Sequence, residues 1–576
     1  MTSRLTGLKF TLLLLSAILL VRLFYWQVLS ADKLAALAQT QRTSTRTIPA
    51  QRGRILASDG FALVSNTPSY LAYAYTPDLT TDPATLAQSL APYLLNPDPD
   101  ATEAAKPVDQ RIREERNDLI DKLTDTTKTW IPLGRNLKPA ARDTIAALNL
   151  PGIGFDEQKI RFYPEASTSA HLLGFVGRDA AGDPQGYFGL EGYYDLELRG
   201  KAGLVRQEKD ASGKPIVIGA YSQTASRTGR DLQLYLNRAL QHSVEKHLKE
   251  GIKKYGAVSG EVVLMDPSTG AILAMASQPS YDQSSFVDYP TALYKNPAVA
   301  SAYEPGSTFK VLIMAAALQE GVVTPDTICD DTCNGAVKID KYTIKTWNDK
   351  YYQDETMAEV LAHSDNTGMI FVSRKLGRDK EIEYINKFGI GQLTGVDLQD
   401  EASPTLRDKW NEVDLATASF GQGLATTAIQ MVRAVSAIAN GGNLVTPRLV
   451  HQVIGDQTIT IKPQIGPRVI SPETAATMTE MMVTAVEKGD AAWARPKGYK
   501  IAGKTGTAQI AVSGHYDTQK TIGSFIGFAP ADHPKFVMLV KLTEPSTSQW
   551  GSETAAPLWF DIAKDALYIL GVAPTQ

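Results

Sequence analysis

The chain has 576 residues, too many for one hydrophobic core, so two or three domains are expected. Its 58 basic residues nearly balance 62 acidic ones, which argues against a nucleic-acid footprint and against a strongly acidic partner. Beyond that, composition says only that the chain is globular.

The N-terminus is more specific. Leu8 to Leu29 is apolar apart from Lys9, Arg22 and a few weakly polar residues, and is long enough to cross a bilayer. Tyr25 and Trp26 fall where an outer interface would lie. The alternative is a cleaved signal peptide with Leu29-Ser30-Ala31 as its cleavage site, but the apolar run is longer than an ordinary signal core, which favours a retained anchor. Arg4 and Lys9 fit a cytoplasmic N-terminus. Arg22 is a charge within the apolar run, placed either to snorkel toward headgroups or to face a partner helix.

Ala31 to Arg46 reads as a helix continuing from the membrane, and Thr47 to Asn66, with Gly53 and Asp59-Gly60 as turn signals, as a hairpin. Asn96 to Val108 is predicted to be an exposed loop. Asp109 to Thr124 is predicted to be a charged helix, either solvated or facing a partner. Tyr187 to Gly203 sits at the join of two domains, with the boundary near Thr228 to Asp231. Leu232 to Gly251 reads as a strand entering a helix. Val258 to Met265 and Ala271 to Ser277 read as a hairpin about the turn Asp266 to Gly270.

The chemistry begins at Tyr303 to Lys310. Pro305-Gly306 marks a turn, and Thr308 to Gln319 reads as a buried helix with Ser307 in its first turn. Residues three apart share a helix face, so the Lys310 amine is placed to take the proton of the Ser307 hydroxyl. Free N–H groups at the helix start favour negative charge developing there. Cys329 and Cys333 are the only cysteines; they lack the further ligands of a zinc site, and the spacing leaves open a small-loop disulfide or two free thiols. Ser364-Asp365-Asn366 falls on a tight turn between two helical patterns, Thr356 to His363 and Thr367 to Leu376. His363 is expected to pack or cap its helix and Asp365 to point away from the cleft.

Gly421 to Gly423 lacks the Lys-Ser/Thr of a phosphate loop. Ala425 to Asn440 reads as a helix stopped by Gly441-Gly442. Lys504-Thr505-Gly506-Thr507 lies on a strand, Tyr499 to Ile510, bounded by a polar loop. Strands Thr521 to Phe528 and Lys535 to Leu542 and a helix Asp561 to Leu570 follow. First and last strands together make an antiparallel sheet with helices on it.

Ser-x-x-Lys, Ser-Asp-Asn and Lys-Thr-Gly in this order resemble the signature of penicillin-binding proteins and class A β-lactamases. The likeness continues in Arg161-Phe162-Tyr163-Pro164, Gly189-Leu190-Glu191-Gly192, Leu198-Arg199-Gly200, Phe420-Gly421-Gln422-Gly423 and Ala502 to Ala508, and so covers nearly the whole chain. On these residues the chain is identified as a member of the class B penicillin-binding proteins, monofunctional peptidoglycan D,D-transpeptidases. One departure is Ala57-Ser58, where such proteins usually carry Asp-Arg; Arg52 and Arg54 remain to pair locally or stand in solvent.

The resemblance implies an α+β multidomain protein: a cytoplasmic tail and single transmembrane helix in 1–30, an elongated, mostly β pedestal (dimerisation-type) domain in 31–230, and in 231–576 a transpeptidase domain whose antiparallel sheet carries helices on both faces. It implies Ser307 as nucleophile, Lys310 as base, Ser364 as proton relay, Asn366 as hydrogen-bonding clamp and Lys504 as the neighbouring cation. Thr505, Gly506 and Thr507 would bind substrate, and the backbone N–H groups of Ser307 and Thr507 would form the oxyanion hole. No cofactor and no metal is implied. The expected partners are peptidoglycan stem peptides ending in D-Ala-D-Ala, β-lactams, a polytopic membrane glycosyltransferase and other divisome proteins, with the catalytic domain outside the cytoplasm. A cell-division role is expected ahead of an elongation role. A carboxypeptidase or β-lactamase, a β-lactam sensor and a catalytically silent scaffold are the rival functions.

Overall fold

The computed structural model describes residues 2–574 apart from 96–105, 126, 166–167, 181, 211–215, 217, 220 and 513–514. The loop predicted over Asn96 to Val108 therefore lies largely outside the described residues. Helix Thr2–Phe24 passes into a wider helical turn, Tyr25–Leu29, and after Ser30 a second helix runs from Ala31 to Arg42. Within the 27 residues Ser3–Leu29 an 18-residue stretch has a mean hydropathy of 2.0. At 1.5 Å per residue the whole run spans about 40 Å, enough to cross the hydrocarbon layer.

By contacts the chain divides into two units, 1–52 with 200–229, and 53–199 with 230–576. In the first, the helix predicted to run to Arg46 stops at Arg42. Thr43–Ile48, rich in β-branched residues that lose side-chain freedom in a helix, is a strand instead. It pairs antiparallel with Gly203–Glu208, which in turn pairs with Tyr221–Thr224. The predicted hairpin Thr47 to Asn66 is thus corrected: only Ile55–Leu56 folds back, onto the start of Ala62–Tyr75. Gly53 is not a turn residue; a Cβ there would lie 1.9 Å from the Arg230 carbonyl oxygen.

In the second unit the long strand Ala62–Tyr75 pairs with both Trp130–Leu137 and Ile153–Phe162. Helices Pro83–Leu94, Val108–Thr124 and Pro139–Ala147 accompany them, and Leu86, Leu90, Leu119, Ile131, Leu133 and Ile145 form a shared core. The Arg161 and Gly-Leu-Glu-Gly motifs meet here. The buried Arg161 guanidinium donates to Glu191 Oε1 at 2.7 Å, Gly53 O at 2.8 Å and Asn66 Oδ1 at 3.0 Å, so these motifs are structural. Arg54 pairs with Asp231 at 2.7 Å.

The catalytic half is built on five antiparallel strands: β1 (Ser259–Met265), β2 (Ile272–Gln278), β3 (Ala502–Val512), β4 (His515–Ala529) and β5 (Phe536–Thr543), in the spatial order β2-β1-β5-β4-β3. Alternate residues enter different cores. Val263, Met265, Ile526, Phe528, Val537 and Leu539 face one. Val262, Leu264, Phe525, Met538, Val540 and Leu542 face the other, with Trp559 and Phe560 of the C-terminal helix Ala555–Ile569. Both faces are therefore covered by helices. The polar loop predicted after Ile510 is instead paired strand, with Val512 opposite His515. The outer end of this ribbon is exposed enough to carry Gln519 and Lys520, so no apolar alternation marks it as strand. As an edge strand, β3 has one side free to meet the nucleophile segment.

Candidate active site

Ser307 lies in a single 3-10 turn, Gly306–Phe309, that leads into α1 (Lys310–Gln319), rather than in the first turn of a continuous helix. Two segments converge on that turn, β3 and the loop at Gly421. Gly306 has φ +57°, and a Cβ on it would sit 2.8 Å from the carbonyl oxygen of Thr507 on β3. Its N–H donates to Gly421 O at 3.0 Å. A Cβ on Gly421 would approach Gly306 O to 2.2 Å. The Gly421 loop is thus a brace for the nucleophile turn. The Ser307 hydroxyl is half-buried and carries no hydrogen bond among the described residues.

Every residue from Lys310 to Ala317 is buried, which fixes the register of α1 and puts the Lys310 side chain wholly inside. Its amine donates to Ser364 O at 2.6 Å, Asn366 Oδ1 at 2.8 Å and Ser364 Oγ at 3.3 Å. Those contacts match the three donors of an ammonium; loss of one proton leaves a lone pair in their midst. Helical spacing alone would set the amine against the Ser307 hydroxyl. Here it is engaged with the second motif instead, and no hydrogen bond joins it to Ser307 among the described residues. Burial, then the positive charge of Lys504, pushes the Lys310 amine well below its ordinary range, while Asp365 and Glu355 pull the other way.

The second motif is the turn between α2 (Met357–Ala362) and α3 (Asn366–Leu376). Ser364 takes φ +59°, a left-handed conformation that turns its carbonyl and hydroxyl to the lysine. Asp365 points away, as expected: its Oδ1 accepts from Thr367 N at 2.6 Å and Gly368 N at 3.3 Å, capping α3. Asn366 donates through Nδ2 to Lys345 O at 3.0 Å, which sets which of its side-chain atoms faces Lys310. His363 packs as expected, stacked on Tyr352 at 4.4 Å and bonded through Nδ1 to Glu355.

Lys504 is buried on β3, with its amine 3.2 Å from Thr505 O and 3.3 Å from Thr505 Oγ1. Burial lowers its pKa to about 8, against the pull of Asp490. Gly506 is required by space, since a Cβ would meet Ser524 Oγ at 2.5 Å and Thr308 Cγ2 at 2.7 Å. Thr507 Oγ1 accepts from Gly551 N at 3.0 Å and keeps its own proton to donate.

The structure thus brings the three motifs together and adds residues that no motif announces. Glu304 accepts from Gly423 N at 3.1 Å and from the Tyr516 hydroxyl at 3.0 Å, tying the Gly421 loop to β4. Trp347, bonded to His363 O, meets Trp550 edge-on at 4.8 Å. Glu355 lies behind the second motif. A cavity of about 380 Å³ beside Glu261, Lys541 and Tyr303 contains none of the eight predicted site residues. Cys329 and Cys333 are joined in a disulfide, with Cα atoms 6.0 Å apart.

The chain is similar to known proteins over nearly its whole length. The penicillin binding protein transpeptidase domain matches residues 260–567, and the penicillin-binding protein dimerisation domain residues 47–234. Stage V sporulation protein D of Bacillus subtilis is 35% identical over 565 residues, 96% of this chain and 84% of that protein. Peptidoglycan D,D-transpeptidase FtsI of Escherichia coli is 30% identical over 569 residues, covering 98% and 91%. The crystal structure of a peptidoglycan synthetase from Bifidobacterium adolescentis superposes with a TM-score of 0.72 at 26% identity, covering 93% of this chain and 98% of that one.

Proposed function

Since the chain belongs to the penicillin-binding protein transpeptidases, we propose that it cross-links peptidoglycan stem peptides through a Ser307 acyl-enzyme and is acylated covalently by β-lactams at the same residue. The observation that carries this reading is the fully buried Lys310 amine, held by Ser364 and Asn366 and depressed by burial and by Lys504.

In the proposed reaction Lys310, as the neutral amine, takes the Ser307 hydroxyl proton while Oγ attacks the carbonyl carbon between the two terminal D-Ala residues. The oxyanion forms against the backbone N–H groups of Ser307 and Thr507. As the tetrahedral species collapses, the C–N bond breaks and Ser364 relays a proton from Lys310 to the departing D-Ala nitrogen. An amine from a neighbouring stem then attacks the ester, giving its proton to Lys310, and Ser307 leaves with a proton restored. Lys504, with the Thr505 and Thr507 hydroxyls, holds the terminal carboxylate, and Asn366 orients the substrate amide.

We assign residues 1–30 to a membrane anchor, 31–230 to the non-catalytic pedestal and 231–576 to the transpeptidase domain; the matched ranges and the apolar helix Ser3–Leu29 support this. The catalytic domain then lies outside the cytoplasm, beside a polytopic glycosyltransferase and other divisome proteins. The role is septal rather than elongating, for which the support is the motif region Arg161 to Gly203 and the match to FtsI. The test is to supply the purified protein with a stem pentapeptide donor and an acceptor amine. The expected result is D-Ala release matched by an amide-linked product; D-Ala release with hydrolysed donor alone would contradict it.

A further inference from the structure

Two buried carboxyl groups stand together behind the Ser364-Asp365-Asn366 turn. Glu355 is 3% exposed and Asp365 2%. Asp365 uses Oδ1 to cap α3, accepting from Thr367 N and Gly368 N and from the Thr367 hydroxyl at 2.7 Å. Glu355 Oε1 lies 2.5 Å from His363 Nδ1. The remaining oxygens, Asp365 Oδ2 and Glu355 Oε2, are buried and have no hydrogen-bond partner among the described residues. Yet the two carboxyl groups have oxygens within 4.8 Å of each other, and the disulfide-bonded Cys333 sulfur is within the same distance of both.

If both groups were ionised, two acceptors would face each other in a low-dielectric site with no donor between them, a costly arrangement. One proton removes both defects. Placed on Glu355 Oε2 it donates to Asp365 Oδ2, while Oε1 accepts from the Nδ1–H of His363. We propose that Glu355 is a positioning residue that keeps its proton at neutral pH and donates it to Asp365, so that the pair carries one negative charge rather than two behind Lys310. The charged groups facing Glu355 are Asp365, Glu359, His363 and Lys310. Burial, then Asp365, pushes the Glu355 carboxyl up to about 8, with Lys310 acting in the opposite direction.

The proton matters to the site through Asp365. Asp365 caps the helix that begins at Asn366, and Asn366 and Ser364 hold the Lys310 amine. A second ionised carboxylate would repel Asp365 from its cap and strengthen the hold of Lys310 on its proton. Glu355 is itself fixed from behind, since Cys329 N donates to its backbone carbonyl at 2.9 Å. This inference rests on the reading of Lys310 as the base, but the protonation of Glu355 can be tested without it.

The test uses the full chain in detergent with E355Q and E355A. The glutamine amide donates to Asp365 Oδ2 and accepts from His363, so E355Q should take up penicillin at neutral pH within about threefold of the wild type. E355A leaves Asp365 Oδ2 without a donor and should be slowed about tenfold or more. The infrared difference spectrum, wild type minus E355Q, should show the carbonyl band of a protonated carboxylic acid at neutral pH, fading as pH rises through about 8. Because the folded value lies above the ordinary 4.5, the wild type should also lose stability relative to E355Q as pH rises from 4.5 to about 8. No acid band at neutral pH, or E355Q as slow as E355A, overturns the proposal. Should E355A fail to fold, E355Q and the spectrum decide. Failure of the wild type to take up penicillin would contradict the proposed function, and the acid band would still judge this inference.

Discussion

Lys541 and Glu261 face each other directly across β5 and β1, 2.7 Å apart, with only 4% and 5% of their side chains exposed. The amine also lies 4.6 Å over the ring of Tyr303, four residues before the nucleophile. In K541M the Glu261 carboxylate stays buried without its cation, and breaking one side of such a pair costs about 3–5 kcal/mol. Glu261 Oε2 is buried without another hydrogen-bond partner among the described residues, so the expected loss lies within that range, about 3–5 kcal/mol. Replacing both residues with methionine removes both charges together, so the double variant should lie within about 1 kcal/mol of the wild type or above it. Denaturant unfolding of the wild type, K541M and the double variant compares the three directly. A double variant as unstable as K541M, or a K541M loss below about 1 kcal/mol, would show that an unpaired charge is not what the single change creates.

Three further outcomes are expected. The second-order rate of penicillin acylation should rise with pH as Lys310 loses its proton and fall above about 8 as Lys504 loses its charge and Glu355 its proton; the fall should be shallower in E355Q and in K504A than in the wild type, and absent when the two changes are combined. In G421A, whose Cβ has no room beside Gly306 O, the nucleophile turn must shift, and acylation should drop by about a hundredfold while circular dichroism is unchanged. The penicillin adduct, followed by mass spectrometry, should persist for minutes or longer, because the glutamates Glu381, Glu401 and Glu412 between Asn366 and Lys504 are held in structural contacts, with Ser373, Thr394 and Arg374; turnover within seconds would point to a hydrolase.

What the sequence disclosed follows from how local the cause is. Ser307 and Lys310 are legible because the spacing of a helical turn is written in consecutive residues, and Lys504 to Thr507 because a strand flanked by breakers is equally local. Thr43–Ile48 is not legible as a strand because its partner, Gly203–Glu208, lies far along the chain, and a β-branched run beside a helix looks like either state. The outer half of the β3–β4 ribbon was hidden for the opposite reason: its pairing is local, but without burial it carries no alternation. The 3-10 turn at Ser307 comes from the approach of Thr507 and Gly421 to Gly306, which no window of sequence contains. Glu355 belongs to no motif; its place against Asp365 is set by how the disulfide loop and α2 fold onto the second motif, so only the assembled structure reveals it.

The central claim is that the Ser307 hydroxyl is the group acylated, with the three motifs assembled around it. Incubation of the purified protein with a fluorescent penicillin, followed by proteolysis and mass mapping, tests this most directly. The account predicts a single label on the peptide containing Ser307 and none on the Ser307→Ala protein; a label on any other residue, or an undiminished label on Ser307→Ala, would contradict it.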